Sequence, residues 1–120
     1  MDTNVIIYYL KGDAKVVETV RKIFSMNSPV YVSTITEIEL FGFHNLTDSE
    51  AADINEFLHI VSVIPVDSRI ARLAGAVRKN HHLKLPDSAI AATTLFTGTR
   101  LLTRNVNDFK GIPNLQVQGI

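Results

Sequence analysis

The sequence predicts an α/β fold with three layers, in which a mostly parallel central sheet is flanked by helices. Short β-like runs alternate with longer helical runs along the chain, and the connections between them are short. A chain of 120 residues falls within the usual size of one domain, so we expect a single domain over residues 1–120. Because the sequence contains no cysteine, a disulfide framework and a thiolate metal site are both excluded.

The charge balance favours no particular class of partner. The 12 basic and 12 acidic residues give a net charge of zero, so strong non-specific binding of nucleic acid is not predicted, although a local basic rim remains open. No apolar run approaches the roughly 20 residues that span a membrane, and no signal peptide is visible. We therefore expect a cytoplasmic protein without a membrane partner.

The first half of the chain predicts three helices and one strand. Helical spacing of apolar residues predicts a helix over residues 14–26, and the run Val30-Tyr31-Val32 after Pro29 predicts a short strand. Residues 34–43 are predicted to be helical, and Ser49 is predicted to cap the following helix. The side chains expected on the buried faces of these last two helices are Ile35, Ile38 and Phe41, and then Ala52, Ile54, Phe57 and Leu58.

The second half repeats the alternation. Residues 61–66 predict a strand that weakens at Pro65, and Asp67 is placed to open a helix. Residues 87–97 predict another helix, which Gly98 would end. Two further short strands are expected around residues 101–102 and 115–117.

Residues 5–10, Val-Ile-Ile-Tyr-Tyr-Leu, give conflicting signals. The β-branched and aromatic composition favours a strand. Asp2, Thr3 and Asn4 ahead of it are all good helix caps, which favours a buried helix. Local evidence leaves both structures open.

Four acidic residues stand where apolar runs end: Asp2, Glu39, Asp87 and Asp108. In a parallel α/β sheet the carboxyl ends of the strands form one rim, which is where such proteins bind their ligands. Acids gathered at that rim would form an oxygen-rich pocket for a hard divalent cation such as Mg²⁺ or Mn²⁺. The pattern therefore favours a metal-dependent nuclease. Each acid also has a plainer interpretation as a helix cap or a solvated turn residue.

Four segments together resemble PIN domains, and most closely the toxin ribonucleases of VapBC toxin–antitoxin pairs. The segments are Met-Asp-Thr-Asn at 1–4, Thr-Glu-Ile-Glu-Leu at 36–40, Leu-Pro-Asp-Ser at 85–88 and Thr-Arg-Asn-Val-Asn-Asp-Phe at 103–109. They occur in the family's order and cover essentially the whole chain. The resemblance implies that residues 5–10 are helical, against their propensity.

The resemblance also implies an activity, a site and partners. The activity is endoribonuclease cleavage of RNA that depends on Mg²⁺ or Mn²⁺, with Asp2, Glu39, Asp87 and Asp108 as catalytic and metal-binding residues. Thr3 and Thr103 would hydrogen-bond the carboxylates or the metal's waters, and Asn105 could take the place of Asp108. The implied partners are RNA, a VapB-type antitoxin and further copies of the chain, as a homodimer or a higher oligomer. We expect the antitoxin groove near residues 16–24 or 49–58.

One feature departs from the family pattern. PIN domains usually carry several apolar residues before the first acid, which form a central strand, whereas only Met1 precedes Asp2. We therefore expect either a start upstream of Met1 or a shortened central strand.

Two other functions remain open. A receiver-type signalling domain also gathers acids and Mg²⁺ at the rim of a parallel sheet, but it would need an amino-terminal Asp pair, and Asp2 stands alone. A catalytically inactive interaction module with the same fold is the second alternative. The basic residues Lys79, Lys84, Arg100 and Arg104 flank the acidic segments and could contact RNA phosphates or simply face solvent.

Glu37 and Glu39 compete for one role. Both Thr34-x-x-Glu37 and Thr36-x-x-Glu39 fit a capping box, so capping alone cannot choose between them. Two residues apart on a helix, the side chains point about 200° apart, so only one can enter the site. Since Thr36-x-x-Glu39-Leu40 matches the family's helix, we assign Glu39 to the site and Glu37 to capping or the surface.

Overall fold

Seven helices, most of them in consecutive pairs, are separated by four short strands in this computed structural model, which describes residues 1–120. The helices are α1 (Thr3–Leu10), α2 (Ala14–Ser25), α3 (Thr34–Phe41), α4 (Asp48–Ile60), α5 (Ser68–His81), α6 (Leu85–Thr97) and α7 (Val106–Phe109). The strands are β1 (Tyr31–Ser33), β2 (Ser62–Ile64), β3 (Arg100–Thr103) and β4 (Gln116–Gly119). The predicted alternation of helices and strands is confirmed.

The strands form two parallel pairs. β1 pairs with β2, and β3 pairs with β4. Met1 and Asp2 connect the two pairs, since the Met1 amine donates to the Tyr31 carbonyl at 3.1 Å and the Asp2 amide donates to the Leu102 carbonyl at 3.0 Å. Parallel pairing is therefore confirmed, and the predicted central sheet takes the form of two short pairs joined by two residues.

Helix α6 runs through the centre of the molecule. Seven consecutive residues, from Ser88 to Thr94, are buried, and the helix packs against α5, α3, β1 and β3. Its buried hydroxyls bond to its own backbone, with Thr93 donating to the Ala89 carbonyl at 2.8 Å and Thr94 to the Ile90 carbonyl at 2.9 Å. The helix ends as predicted at Gly98, whose positive φ of 64° suits a residue without a side chain.

Residues 5–10 are helical, as the family resemblance implies, and the strand that their composition favours is wrong. Val5 and Ile6 are fully buried in the main hydrophobic core, against residues of α2, α3 and α4. Burial stabilises apolar side chains in a helix as well as in a strand, so it outweighs the modest β propensity of these residue types. Asp2 is the last residue before this helix and has an extended backbone conformation.

Two predicted details in the middle of the chain are wrong. The buried face of α3 contains Thr36 and Leu40, whereas Ile38 is 67% exposed and Phe41 is 39% exposed. Helix α4 begins after Thr47 instead of Ser49, because Thr47 and Glu50 form a complete capping box.

The interior of α4 was predicted in part. Ile54 and Phe57 are buried as predicted, while Ala52 is exposed. The predicted cap at Asp67 is confirmed, since its carboxylate accepts a hydrogen bond from the Ile70 amide at 3.0 Å. No helix of the protein is both long enough and apolar enough to cross a membrane.

Candidate functional site

The fold brings the four predicted acids together from four separate elements. Asp2 precedes α1, Glu39 lies in α3, Asp87 is in the first turn of α6 and Asp108 lies in α7. The pKa of Asp87 is raised above its usual value, first by burial and then by the negative charges of Asp2, Asp108 and Glu39, while nearby Lys84 lowers it. These carboxylates therefore share one electrostatic neighbourhood.

Asp2 is held by a hydroxyl at the end of β3. Thr103 donates to the Asp2 Oδ2 at 2.7 Å, and both residues are buried. Thr103 in turn accepts a hydrogen bond from the Asn105 amide at 3.0 Å. Asp2 occupies the N-cap position of α1 but makes no capping hydrogen bond, so the interpretation of Asp2 as a simple cap is wrong.

Glu39 is held by a hydroxyl from α1. Thr3 donates to the Glu39 Oε1 at 2.6 Å, and its oxygen lies 2.9 Å from the Thr36 oxygen. Because a hydroxyl has one proton and Thr3 gives its proton to the carboxylate, Thr36 is the donor to Thr3. Thr36, which is fully buried, was not among the predicted site residues. Its position three residues before Glu39 on a helix could have revealed it, since such residues are neighbours.

The other two acids make no hydrogen bonds through their side chains. Asp87 is half-buried and Asp108 is exposed in a helix of four residues, and neither carboxylate accepts a hydrogen bond from the protein. Asn105 is exposed, and its side chain does not cap α7. The charge of Asp108 contributes to the raised pKa of Asp87, whereas Asn105 is uncharged, so this effect does not choose between the two alternatives for the fourth residue.

The acids suit a divalent cation by their chemistry but do not form a finished cage. Carboxylate and hydroxyl oxygens are the ligands that hard cations prefer. No three His, Cys, Asp or Glu side chains converge closely enough to hold a metal ion by themselves. Mg²⁺ typically takes only one or two carboxylates and keeps several waters, so this donor set fits a cation bound largely through water.

Glu37 was assigned to capping or the surface, and of these two alternatives the capping role is wrong. Ser33 caps α3 instead, accepting a hydrogen bond from the Ile35 amide at 3.2 Å. Glu37 makes no hydrogen bond to the N-terminus of the helix and is half-buried at its side.

The basic residues differ in their distance from the acids. Lys84 precedes α6 and its charge reaches Asp87. Arg104 forms an ion pair with Asp13, with 3.0 Å between Nη2 and Oδ1. Arg100 begins β3, three residues before Thr103, which places it about 10 Å away at the opposite end of the strand. Arg100 is therefore not part of the acidic rim.

Comparison with known proteins identifies relatives along almost the whole chain. The model of the PIN domain family matches residues 1–115. Ribonuclease VapC19 of Mycobacterium tuberculosis is 27% identical over 121 residues, which cover 97% of this chain and 95% of that protein.

Solved structures agree in fold. A chain of the DNA-bound VapBC complex from Salmonella typhimurium superposes with a TM-score of 0.85 at 25% identity, over 98% of this chain and 94% of that one. A chain of a toxin–antitoxin complex from Klebsiella pneumoniae gives a TM-score of 0.79 at 28% identity, over 99% and 97% of the two chains.

Proposed function

Because the chain belongs to the PIN domain family, we propose that it is a metal-dependent endoribonuclease and the toxin of a VapBC-type toxin–antitoxin pair. The observation that carries the proposal is the convergence of four acids from distant elements on one rim. There the negative charges of Asp2, Asp108 and Glu39 contribute to the raised pKa of Asp87. The similarity to Ribonuclease VapC19 supports RNA as the substrate.

The protein's own residues would hold and orient the reacting groups. Asp2 and Glu39 keep fixed orientations because Thr103 and Thr3 hydrogen-bond them. Asp87 and Asp108 keep their oxygens available for a cation or its waters. When bound, Mg²⁺ or Mn²⁺ would polarise a phosphoryl oxygen and offset the charge that develops during in-line displacement.

A cation is also needed to admit the substrate. Four clustered carboxylates repel RNA phosphates and one another, and Lys84 is the one basic group that lowers the pKa of Asp87. A bound divalent cation reverses the local sign of the charge. We therefore propose that binding of metal precedes productive binding of RNA.

Cleavage of a single-stranded RNA tests this function. The purified protein should cleave the RNA with Mg²⁺ or Mn²⁺ and lose that activity in EDTA. Asp87→Asn purified in parallel reports contaminating nucleases, and it should be inactive with either metal. Undiminished cleavage in EDTA, or equal cleavage by Asp87→Asn, would rule the mechanism out.

Two neighbouring grooves, the first mainly apolar and the second of mixed polarity, support an antitoxin partner. One, of about 420 Å³, lies between α1, the end of α3 and α4, and the other, of about 500 Å³, lies between α1, α2 and α4. They share Leu10 and Asp53. The matched solved structures include toxin–antitoxin complexes. We propose that an extended apolar segment of the antitoxin occupies these grooves.

Co-expression with the small protein encoded beside this gene would test the proposed antitoxin partner. Co-expressed with the wild-type chain it should co-purify, and Ile60→Asp, which charges a residue lining the larger groove, should abolish the complex. Met26→Asp is the control, because Met26 is similarly exposed but lines neither groove. Equal capture by both variants would exclude the larger groove as the antitoxin site.

We also propose self-association of the toxin. Ile38 is the most exposed large apolar side chain, at 67%, and Phe41 on the same helix is also exposed. Sedimentation should give a homodimer or a higher oligomer that Ile38→Glu dissociates. A monomer at micromolar concentration would contradict this proposal.

A further inference from the structure

The turn that carries Asp108 has little structure of its own. Arg104 to Asp108 are exposed or half-exposed, and α7 contains only four residues. A single helical turn is not stable by itself. Internally it is held by short-range bonds such as the Asp108 amide to the Asn105 carbonyl at 3.0 Å, and it ends at the buried Phe109. In addition, the negative charges of Asp108 and Asp87 repel each other.

The Arg104 side chain connects this turn to the C-terminal part of α1, away from the end that begins beside Asp2. Arg104 Nη2 lies 3.0 Å from Asp13 Oδ1, and its guanidinium carbon lies 4.4 Å from the centroid of the Tyr8 ring. Tyr8 belongs to α1, the helix that begins beside Asp2, and Asp13 caps α2 by accepting a hydrogen bond from the Val16 amide at 3.2 Å. The carboxylate is therefore already oriented by its helix when Arg104 binds it.

This ion pair differs from the other two in the molecule. Lys22 pairs with Glu18 and Arg69 pairs with Asp67, so both of those pairs join neighbours in the sequence. The Arg104–Asp13 pair joins residues 91 positions apart, and each side chain is 30% exposed. A local pair can restrain only its own element, whereas this one restrains two elements relative to each other.

We infer that Arg104 is a positioning residue, which Asp13 and Tyr8 hold so that the turn bearing Asp108 stays in place beside Asp87. The inference rests on the proposed nuclease function. In this arrangement Arg104 does not contact RNA, and its effect on the reaction passes through the position of Asp108. Misplacing a reacting group by about 1 Å can slow an enzyme on the order of a hundredfold.

The chain supplies a closely matched control. Asp67 caps α5, binds Arg69 at 2.9 Å, and Arg69 lies 5.0 Å from the centroid of the Phe96 ring. This second acid–arginine–aromatic unit has the same chemistry but lies outside the acidic rim. Asparagine is a good helix cap, so Asp13→Asn and Asp67→Asn both remove an ion pair and keep the cap.

The test compares these variants in metal-dependent cleavage of a single-stranded RNA. Asp13→Asn and Arg104→Gln should each lower kcat by on the order of tenfold to a hundredfold with little change in KM, and the double variant should be no worse than either. Asp67→Asn and Arg69→Gln should stay within about twofold of the wild type. Arg104→Lys should recover part of the rate, because the ammonium can still reach Asp13.

Other outcomes would overturn the inference. If Arg104 instead binds RNA phosphates, Arg104→Gln will raise KM and reduce its salt dependence, while Asp13→Asn, which frees the arginine, will not impair the enzyme. Equal losses in the Asp67 and Asp13 variants would show that losing any such ion pair slows the enzyme, whichever elements it joins, and would refute the role of the long-range pair.

Hydrogen exchange separates this inference from the proposed function. The amides of residues 104–110 should exchange faster in Asp13→Asn than in the wild type, and Asp67→Asn should leave them unchanged. A wild-type protein without cleavage activity would refute the proposed function, and the exchange comparison would still decide whether the pair holds the turn. Unchanged exchange in Asp13→Asn would refute the positioning role.

Discussion

The two halves of the acidic site are built differently. Asp2 and Glu39, the threonine-held pair, each accept a hydrogen bond from a threonine hydroxyl, and Asp2 is only 3% exposed. Asp87 and Asp108, the unpartnered pair, accept none, and the pKa of Asp87 is raised. One half is thus oriented by the protein itself, while the other retains free oxygens and a negative charge that Lys84 offsets only in part. This difference agrees with the proposed function, in which Asp87 and Asp108 would bind a cation while Asp2 and Glu39 are already oriented.

The largest effect is expected at the glutamate of the threonine-held pair. Glu39→Gln should lower kcat on the order of 10²–10⁴-fold, because the neutral amide can neither accept a proton nor bind a hard cation well. Circular dichroism should show an unchanged fold. Glu37→Gln is the matched control on the same helix and should stay within about twofold, since Glu37 makes no hydrogen bond. If only Glu37→Gln abolishes cleavage, the assignment of the two glutamates is reversed.

The hydroxyls that hold this pair should have the next largest effect. Thr103→Val preserves the shape of the side chain but leaves the Asp2 carboxylate without its donor. Loss of such an orienting partner typically costs about 10–100-fold in activity or metal affinity. Unfolding in urea should also show a loss of about 1–3 kcal/mol, because a buried acceptor remains unsatisfied. Thr19→Val, which removes a hydroxyl from the surface of α2, is the control. An active, stable Thr103→Val would show that Asp2 needs no such support.

The buried amine of Met1, next to Asp2, predicts that the stability of the protein depends on pH. Burial lowers the pKa of the Met1 amine from 8.0 to about 6, while the Asp2 charge opposes that shift. Between these values the unfolded chain binds more protons than the folded chain, so the folded state gains stability as the pH rises from 6 to 8. A difference of two units corresponds to roughly 3 kcal/mol.

Urea unfolding at pH 5.5, 7 and 8.5 measures this contribution in the 120-residue chain. The same chain with an acetylated N-terminus provides the control, and its stability should depend less on pH over this range. A wild-type protein whose stability does not rise relative to the acetylated form would contradict the burial of the amine.

Local sequence patterns predicted much of the fold. They did not predict the structure of segments whose intrinsic propensity is overruled by burial against distant residues. The cap at Asp67 and the end of α6 at Gly98 follow from residue chemistry that acts within a few positions. The helix at residues 5–10 does not, because its stability comes from packing against distant residues. For the same reason, the outward orientation of Ile38 could not be read from its hydrophobicity.

The candidate site was predicted as a set of residues, whereas its geometry was not. The four acids and both flanking threonines could be named because their order along the chain resembles a known family. Which hydroxyl serves which carboxylate depends on contacts between residues up to 101 positions apart, such as Thr103 with Asp2. Thr36 acts through Thr3, so its role became visible only when α1 and α3 were placed together.

The smallest expected effect is also the most direct test of how the two halves differ. In EDTA, Asp87→Asn should melt at a slightly higher temperature than the wild type, because the change removes a carboxylate whose charge the fold disfavours. Asp48→Asn, at an exposed position of α4, controls for removing one negative charge elsewhere.

Adding Mn²⁺ to the same melting experiment tests the central claim, that the unpartnered pair awaits a cation. A ligand that binds only the folded state stabilises it in proportion to the logarithm of its concentration over the dissociation constant. The wild type and Asp48→Asn should therefore gain stability with Mn²⁺ and melt above Asp87→Asn, reversing the order seen in EDTA. Equal gains in all three proteins, or no gain in the wild type, would contradict a cation site at Asp87.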